Sequence, residues 1–179
     1  MRIIGGKYGG RNIHVPKGLP VRPTTDRTKE ALFNILNNEL DWEETHVLDL
    51  FAGTGNISLE CLSRGAAYVT SVDQHPKCIS AIQAAYEMLN ISNAHTVKAN
   101  VWQFIRQDHD SYDLIFMDPP YDMPRQDELI ASIMAQSWLH EEGILIVEHN
   151  SHLPFSSLAG FDFSRVYGSS TLSFFRHPK

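Results

Sequence analysis

Two groups of residues have the types and spacing for chemistry, and the first lies in residues 47–61, VLDLFAGTGNISLEC. The apolar run at 47–51 is typical of a strand buried on both faces of a parallel sheet. The glycines at 52–55 then predict a sharp turn, and helical spacing resumes at Asn56. A strand, a glycine turn and a helix predict the opening unit of a doubly wound α/β fold, with a ligand crevice at the carboxyl end of the strand.

The second group is Asp118-Pro119-Pro120-Tyr121, which follows the apolar run at 112–117. Two consecutive prolines fix the backbone and remove two amide donors, so nearby carbonyls stay free to accept hydrogen bonds. This corner suits an exocyclic amine: Asp118 and a carbonyl accept its N–H groups, and Tyr121 offers a face for stacking. Holding such a weakly nucleophilic nitrogen in line with the methyl group of a sulfonium would lower the barrier by orientation and electrostatics, without a metal.

A carboxylate that could bind the ribose of a nucleotide is Asp73, which ends the second predicted strand. In that position it can accept both hydroxyls of an adenosine ribose, which fits either NAD or S-adenosylmethionine. The dinucleotide fingerprint usually has glycine or alanine where Ser58 stands, and this departure counts against a nicotinamide cofactor. The amine-binding corner at 118–121 then favours S-adenosylmethionine.

The composition is that of an ordinary folded domain: 179 residues, of which 42% are hydrophobic and 20% are charged. No apolar run is long enough to cross a membrane, and we expect no signal peptide. Cys61 and Cys78 fall in predicted helices, which indicates a reducing cytoplasm rather than a disulfide scaffold. No metal site is predicted, since the histidines are scattered, and His149 and His152 are interpreted as residues of a solvated loop.

The formal net charge of −6 is unevenly distributed along the chain. Residues 1–29 hold seven basic residues against Asp26 alone, a net of +6, which leaves −12 on the other 150 residues. Because screening limits the reach of the acidic remainder to roughly 10 Å, a basic N-terminal arm can bind a phosphate backbone locally. The alternative is a basic terminus that is merely solvated.

The elements that would position these residues follow a regular order. Paired glycines within residues 1–21 predict two short strands joined by a turn, and a helix follows to about residue 38, with Thr25 or Asp26 as its N-cap. Strands and helices then alternate, and the chain ends in a hairpin. The predicted strands are 47–51, 68–73, 95–98, 112–117, 143–148, 161–167 and 171–176. We therefore expect one domain over 1–179: a basic arm with a short β extension at 1–29, and a Rossmann-like doubly wound α/β core at 46–179 whose sheet is mostly parallel with an antiparallel C-terminal hairpin.

The chain resembles the class I S-adenosylmethionine-dependent amino-methyltransferases in three features that occur in the same order: FAGTG at 51–55, Asp73 and DPPY at 118–121. RIIGGKYGGRNIHVP and RPTTDRTKEALFNIL, near the N-terminus, are more specific. They resemble the bacterial methylases that modify a guanine N2 in 16S ribosomal RNA, and the resemblance covers practically the whole chain. Five parallel strands and a hairpin also suit the sheet of such enzymes, in which the last strand inserts antiparallel beside the fifth.

The resemblance implies a role for each matching residue. Asp73 would bind the ribose of S-adenosylmethionine, and Asn100 and Val101 would flank the adenine, although many relatives in the wider class have Asp where Asn100 stands. The methionine part would be held or enclosed by Arg22, Thr24, Thr25, Asp49, Phe51, Ala52, Gly53, Thr54 and Gly55. The target guanine, flipped out of its stack, would be held by Asp118, Pro119, Pro120 and Tyr121. RNA phosphates would be gripped by Arg2, Lys7 and Arg11.

Other functions stay open at this point. DPPY also serves adenine amines, so an adenine-N6 DNA methylase is the main alternative, although 179 residues leave no room for a separate target-recognition domain. Ser58 and the terminal hairpin disfavour an NAD-linked oxidoreductase, and the intact motifs disfavour an inactive RNA-binding relative. We expect a cytoplasmic monomer whose partner is ribosomal RNA in a small-subunit particle, with no membrane contact. The preference for guanine over adenine rests on the resemblance, since Asp118 could orient either amine.

Overall fold

The computed structural model describes residues 1–22, 24–107 and 110–179, which form a seven-stranded sheet with helices on both faces. The strands are β1 (His46–Asp49), β2 (Tyr68–Asp73), β3 (Ala94–Lys98), β4 (Tyr112–Met117), β5 (Leu139–Asn150), β6 (Phe161–Tyr167) and β7 (Ser170–Phe175). The α-helices are α1 (Asp26–Leu36), α2 (Asn56–Ser63), α3 (Pro76–Met88), α4 (Val101–Phe104) and α5 (Gln126–Ala135). Short 3-10 helices lie at Trp42–Glu44 and Phe155–Ser157.

The strands lie in the order β3-β2-β1-β4-β5-β7-β6. The first five in this order are parallel, and β7 is inserted antiparallel between β5 and β6. The direction of winding reverses between β1 and β4, and doubly wound sheets bind ligands outside the carboxyl ends of the strands at such a reversal. The predicted α/β fold, with its antiparallel C-terminal hairpin, is confirmed.

The two faces of the sheet are covered by different elements. Val47 packs in an apolar layer with the N-terminal segment and helices α1 to α3, whereas Leu48 packs in the layer under α4 and α5. Both side chains are fully buried, as successive residues of a strand covered on both faces must be. This explains why β1 is a continuous apolar run rather than an alternating one.

The starts of three helices follow from local sequence. The Thr25 hydroxyl accepts a hydrogen bond from the Thr28 N–H at 3.2 Å, so it caps α1 as predicted. α3 begins with Pro76 in its first turn, where the missing amide hydrogen costs nothing. α2 begins after Gly55, whose φ of 81° is a left-handed conformation that glycine adopts without strain.

The N-terminal β extension is smaller than predicted. In place of two strands, the described residues form a single antiparallel bridge between Arg2 and Asn12. The backbone between them turns toward α2 instead: the Lys7 N–H donates to the Ser63 carbonyl at 2.6 Å, and the Tyr8 N–H donates to the Ser63 hydroxyl at 2.9 Å. These donors are therefore bonded to a helix rather than to a second strand.

A buried carboxylate fixes the N-terminal segment to the domain. Glu60 of α2 is 0% exposed, and it accepts hydrogen bonds at 2.9 Å from the N–H groups of Ile4 and Gly5. It also forms ion pairs with Lys29 at 3.1 Å and with Arg64 at 3.0 Å. One of the seven basic residues counted in the arm, Lys29, is thus an internal structural cation.

β5 is longer than its predicted range of 143–148, and it contains His149. The imidazole is buried, with Nε2 2.7 Å from the Ser173 hydroxyl and Nδ1 2.8 Å from the Asn150 carbonyl. The interpretation of His149 as a solvated loop residue is wrong, because β7 pairs with this end of β5 and covers it. His152 is exposed in the following turn.

Candidate active site

A cavity of about 990 Å³ opens at the carboxyl ends of β1, β2, β4 and β5. The lining also includes Pro20, Val21, Arg22, Thr24, Thr25 and the turn between β6 and β7, so the N-terminal segment and the C-terminal hairpin both reach the mouth of the crevice. The sequence-predicted residues that line it are Arg22, Thr24, Thr25, Asp49, Phe51, Ala52, Gly53, Thr54, Asp73, Asn100, Val101, Asp118, Pro119, Pro120 and Tyr121.

Gly55 belongs to the predicted set but lies outside the lining of this cavity. A Cβ built on it would stand 3.0 Å from the Ile82 side chain of α3, and its positive φ permits the turn into α2. The structure thus gives Gly55 a packing and turn role, and its expected cofactor contact stays a prediction.

Asp49 ends β1 at the floor of the cavity and is 1% exposed. Its carboxylate accepts a hydrogen bond from the Ser58 hydroxyl at 2.7 Å, and Ser58 in turn lies 2.7 Å from the Ser71 hydroxyl. Burial raises the pKa of Asp49 from 3.8 to about 7, and Asp73 adds to this, whereas the Ser58 bond opposes it. Ser58, which the sequence pattern presented only as a departure from the dinucleotide fingerprint, is thus the partner of a cavity carboxylate.

Asp73 holds the glycine turn in place. One carboxylate oxygen accepts from the Gly53 N–H at 2.9 Å, and the other accepts from the His75 N–H at 2.8 Å. Each oxygen of a carboxylate has a second lone pair, so Asp73 can still accept bonds from a ligand on the cavity side.

Asn100 lies at the start of α4. Its side-chain oxygen accepts from the Trp102 N–H at 2.9 Å, and its amide nitrogen donates to Gln74 at 3.2 Å. The residue therefore works first as a helix cap, and one lone pair of its oxygen and one N–H of its amide remain for a ligand. Val101 follows in the first turn of α4.

The corner after β4 is a tight turn stabilised from inside. The Pro120 carbonyl accepts from the Met123 N–H at 3.0 Å and from the Gln126 amide at 3.3 Å. The Pro119 carbonyl receives no hydrogen bond from the described residues. The expectation that the carbonyls near the prolines stay free thus holds for Pro119 but not for Pro120.

Glu148 is a cavity residue that the sequence reasoning missed. It is 8% exposed near the end of β5, and its carboxylate accepts hydrogen bonds from the Thr24 hydroxyl at 3.0 Å and the Ser170 hydroxyl at 2.7 Å. The rule that selected Asp73 and Asp118, an acidic residue where a parallel strand ends, would also have selected Glu148.

Asp118 lies in an unusually acidic environment. Burial raises its pKa well above the ordinary value of 3.8, Glu148 and Asp49 raise it further, and Arg22 opposes them. Four carboxylates line the cavity, from Asp49, Asp73, Asp118 and Glu148. Such a cavity favours a ligand that carries positive charge.

Arg22 covers the predicted stacking residue. Its guanidinium lies over the Tyr121 ring, 4.8 Å from the ring centre, and donates hydrogen bonds to the Tyr121 hydroxyl and, at 3.2 Å, to Ser169. Tyr121 is nevertheless 42% exposed. A base that stacks on this face must share it with Arg22 or displace it.

The predicted phosphate-binding residues lie outside the cavity. Lys7 and Arg11 both pack over the Tyr8 ring, at 5.3 and 5.6 Å from its centre, which brings their charges to one patch. Arg2 is exposed and forms an ion pair with Asp26 at 3.3 Å. These contacts leave the three cations at the surface of the N-terminal segment.

Residues 1–22, 24–107 and 110–179 lack two further kinds of functional feature. They contain no cluster of three or more His, Cys, Asp or Glu side chains that could hold a metal ion. None of their helices combines the length and the apolar character that crossing a membrane requires. Cys61 and Cys78 are both buried free thiols.

The sheet order and the crevice at its reversal define a class I methyltransferase fold. The same fold is found in the 16S rRNA N2 methyltransferase RsmC of Thermus thermophilus, solved with AdoMet and guanosine, at a TM-score of 0.72 and 20% identity over 90% of this chain and 46% of that one. The solved Escherichia coli protein yhhF superposes on all of this chain and 99% of its own, with a TM-score of 0.88 and 32% identity.

The chain belongs to the family described as conserved hypothetical protein 95, which matches residues 1–176. Its relatives include the ribosomal RNA small subunit methyltransferase D of Escherichia coli K12. The two are 35% identical over 148 residues, which cover 83% of this chain and 74% of the relative. The resemblance noted from the sequence motifs is thereby confirmed.

Proposed function

We propose that this protein transfers a methyl group from S-adenosylmethionine to the exocyclic N2 amine of a guanine in 16S ribosomal RNA. The observation that carries the proposal is that one cavity joins the DPPY corner to the glycine turn and to Asp73. An amine-orienting corner beside a nucleotide-binding turn is the arrangement that methyl transfer needs. The Escherichia coli relative, named as a small-subunit ribosomal RNA methyltransferase, supports the substrate class.

The charge of the cavity supports S-adenosylmethionine over a dinucleotide. Four carboxylates line it, and the pKa values of Asp49 and Asp118 are both raised. A bound sulfonium with its amino group would relieve this accumulation of acids, whereas a pyrophosphate would add to it. Bound there, S-adenosylmethionine supplies a methyl group on a positively charged sulfur.

The proposed cofactor contacts follow the lining of the cavity. Asp73 holds the ribose, and Asn100 and Val101 flank the adenine. The methionine part lies against the turn after β1, and the segment that contains Arg22 closes over it. The residues in this last group are Arg22, Thr24, Thr25, Asp49, Phe51, Ala52, Gly53 and Thr54, which line the cavity, and Gly55 at the end of the same turn.

Asp118 and the Pro119 carbonyl are the proposed catalytic groups. They accept the two N2 hydrogens of the guanine, which directs the nitrogen lone pair toward the methyl group. As the N2 nitrogen forms its new bond to carbon it must release a proton, and a carboxylate with a raised pKa is suited to accept it. Pro120 keeps the corner rigid, and the base stacks on the ring of Tyr121, beside Arg22.

Contact with the RNA backbone is assigned to the N-terminal segment. Arg2, Lys7 and Arg11 bind phosphates around the flipped guanine, and the substrate is ribosomal RNA within a small-subunit particle. We further propose that the protein acts as a monomer in the cytoplasm.

The test uses S-adenosylmethionine with a labelled methyl group, the purified protein, and 30S particles from cells that lack the enzyme. Mass spectrometry of the digested nucleosides is expected to show labelled N2-methylguanosine. Labelled N6-methyladenosine would instead contradict the assigned base while keeping the methyl transfer. No label in RNA, but label in DNA, would favour the adenine-N6 DNA methylase.

A further inference from the structure

The DPPY corner alone cannot tell guanine from adenine, because Asp118 accepts a hydrogen from either exocyclic amine. The atom beside the amine differs between the two bases. Guanine has an N1–H donor next to its N2 amine, whereas adenine has an N1 acceptor next to its N6 amine. A site that places a second acceptor beside the first therefore selects guanine, and one that places a donor there selects adenine.

Glu148 lies where such a second acceptor is needed. β4 and β5 are parallel neighbours, and their register pairs Met117 with Val147. Asp118 and Glu148 are the next residues along the two strands, and both line the cavity. The two carboxylates therefore stand side by side at the carboxyl edge of the sheet.

The Glu148 carboxylate is held in one orientation by donors from two other elements. Thr24 donates to one of its oxygens from the segment before α1, and Ser170 donates to the other from the start of β7. Both partners are hydroxyl donors, and the described residues form no ion pair with Glu148. Each oxygen keeps a second lone pair, so the residue is a fixed acceptor with unused capacity.

We propose that Glu148 determines specificity for guanine by accepting the N1–H while Asp118 accepts the N2–H. The inference rests on the proposed function and assigns the selectivity of that site to a particular side chain. Adenine in the same position would point its N1 lone pair at the carboxylate, which leaves two acceptors facing each other in a buried place. Unpaired polar groups of this kind reject a wrong substrate strongly.

The electrostatics of the pair agree with this geometry. After burial, the charge of Glu148 is the largest cause of the raised pKa of Asp118. The two carboxylates therefore interact closely enough to share the edge of one base.

The experiment crosses two enzymes with two bases. Small-subunit particles are reconstituted with the target nucleotide, once mapped, as guanosine or as 2-aminopurine riboside, which keeps the N2 amine but has an acceptor at N1. Methyl transfer is measured with the wild-type protein and with Glu148→Gln, whose amide can donate to that acceptor. Glu142→Gln, an exposed change in the same strand, is the matched control.

The wild-type protein and Glu142→Gln should both prefer guanosine by about 100-fold, and Glu148→Gln should lower this preference by about 10-fold or more. S-adenosylmethionine affinity, measured by calorimetry, should stay within a few-fold in both variants. If Glu148 only holds Thr24 and Ser170 in place, Glu148→Gln would change transfer to both bases equally. The preference for guanosine would then be unchanged, and the proposal would be overturned.

Three outcomes are decisive. If Glu148→Gln does not fold, the wild-type preference decides by itself, because equal rates on guanosine and 2-aminopurine would contradict an acceptor at N1. If the wild-type protein forms no N2-methylguanosine in 30S particles from cells that lack the enzyme, the proposed function itself fails. If it forms N2-methylguanosine but the crossed preference does not change, only the role of Glu148 fails.

Discussion

Glu60 is a fully buried carboxylate and Asp118 a partly buried one, and their surroundings are opposite. Glu60 has two cations, Lys29 and Arg64, and two backbone N–H groups. Asp118 has two further acids as its main charged neighbours, and Arg22 only partly compensates for them. The charge of Glu60 is compensated by neighbouring cations, whereas the acids around Asp118 lack enough cations to compensate them.

The difference distinguishes a buried carboxylate that stabilises the fold from carboxylates that belong to a functional site. A buried charge with full compensation fixes one element to another, as Glu60 fixes the N-terminal segment to α2. A group of buried acids without enough cations destabilises the folded state and is typical of sites that bind or transform a ligand. The two clusters should therefore respond to substitution in opposite ways.

Asp118→Ala is expected to have the largest effect on activity. Methyl transfer should fall by at least about 10³-fold, because the amine loses its acceptor, while S-adenosylmethionine affinity stays within a few-fold. The free energy of unfolding should not fall, since an acid that is costly to ionise has been removed. Single-turnover transfer, calorimetry and urea unfolding measure the three quantities.

Asp122→Ala, an exposed change in the same loop, is the control and should leave transfer unchanged. Unchanged turnover in Asp118→Ala would remove the residue from the proposed mechanism.

Lys29→Met tests the compensated cluster. It leaves Glu60 with less positive charge in a fully buried place, so the free energy of unfolding should fall by about 3–5 kcal/mol. Urea unfolding followed by circular dichroism gives the value. Lys77→Met, at an exposed helical lysine, should change stability by less than about 0.5 kcal/mol. A loss in Lys29→Met as small as that of the control would mean that the ion pair is not structural.

Asp49→Asn tests the cost of the uncompensated acids. The folded protein holds the Asp49 proton up to a pKa of about 7, whereas the ordinary value is 3.8. Between these values the folded state binds more protons than the unfolded state, so the free energy of unfolding falls as pH rises, by on the order of 2–4 kcal/mol in total. The asparagine variant lacks this contribution.

The stability of Asp49→Asn relative to wild type should therefore increase from pH 4 to 7 and level off above 7. Urea unfolding at a series of pH values measures this relative stability. Asp127→Asn, at an exposed position, measures the effect of the same change away from the cavity. A relative stability that is independent of pH would show that Asp49 does not carry the extra proton.

The surface cations should give the smallest effect. Replacing Arg2, Lys7 and Arg11 together by Ala should weaken RNA binding and reduce the slope of log K against log salt by about three. Filter binding at several salt concentrations measures the slope. A matched triple change at Lys98, Arg165 and Lys179 should leave the slope unchanged. If the N-terminal triple change also leaves the slope unchanged, the segment does not contact phosphates.

The strands and helices of the α/β core and part of the cavity lining could be predicted from the sequence because their signals are local. β4 is an apolar run with the predicted bounds, and α1 begins after its predicted cap, Thr25. Asp73 and Asp118 could be found because parallel strands end at one edge of the sheet, so their last residues meet there.

The residues that were missed or misassigned depend on contacts between different elements of the fold. Ser58 bonds to Asp49 across the α2–β1 interface, and Glu148 is fixed by Thr24, 124 positions away. His149 is buried only because β7 pairs with β5. No local pattern contains this information, although the position of Glu148 near the end of a strand was an available signal.

The N-terminal segment lies so close to α2 that a Cβ on Gly6 would be 1.9 Å from the Ser63 carbonyl oxygen. This contact has a consequence for the order of events during synthesis. Residues 1–13 leave the ribosome before Glu60 and Ser63, so their binding site does not yet exist when they emerge. The patch that carries Lys7 and Arg11 can take its folded shape only after α2 has formed against the sheet, which makes it a late product of folding.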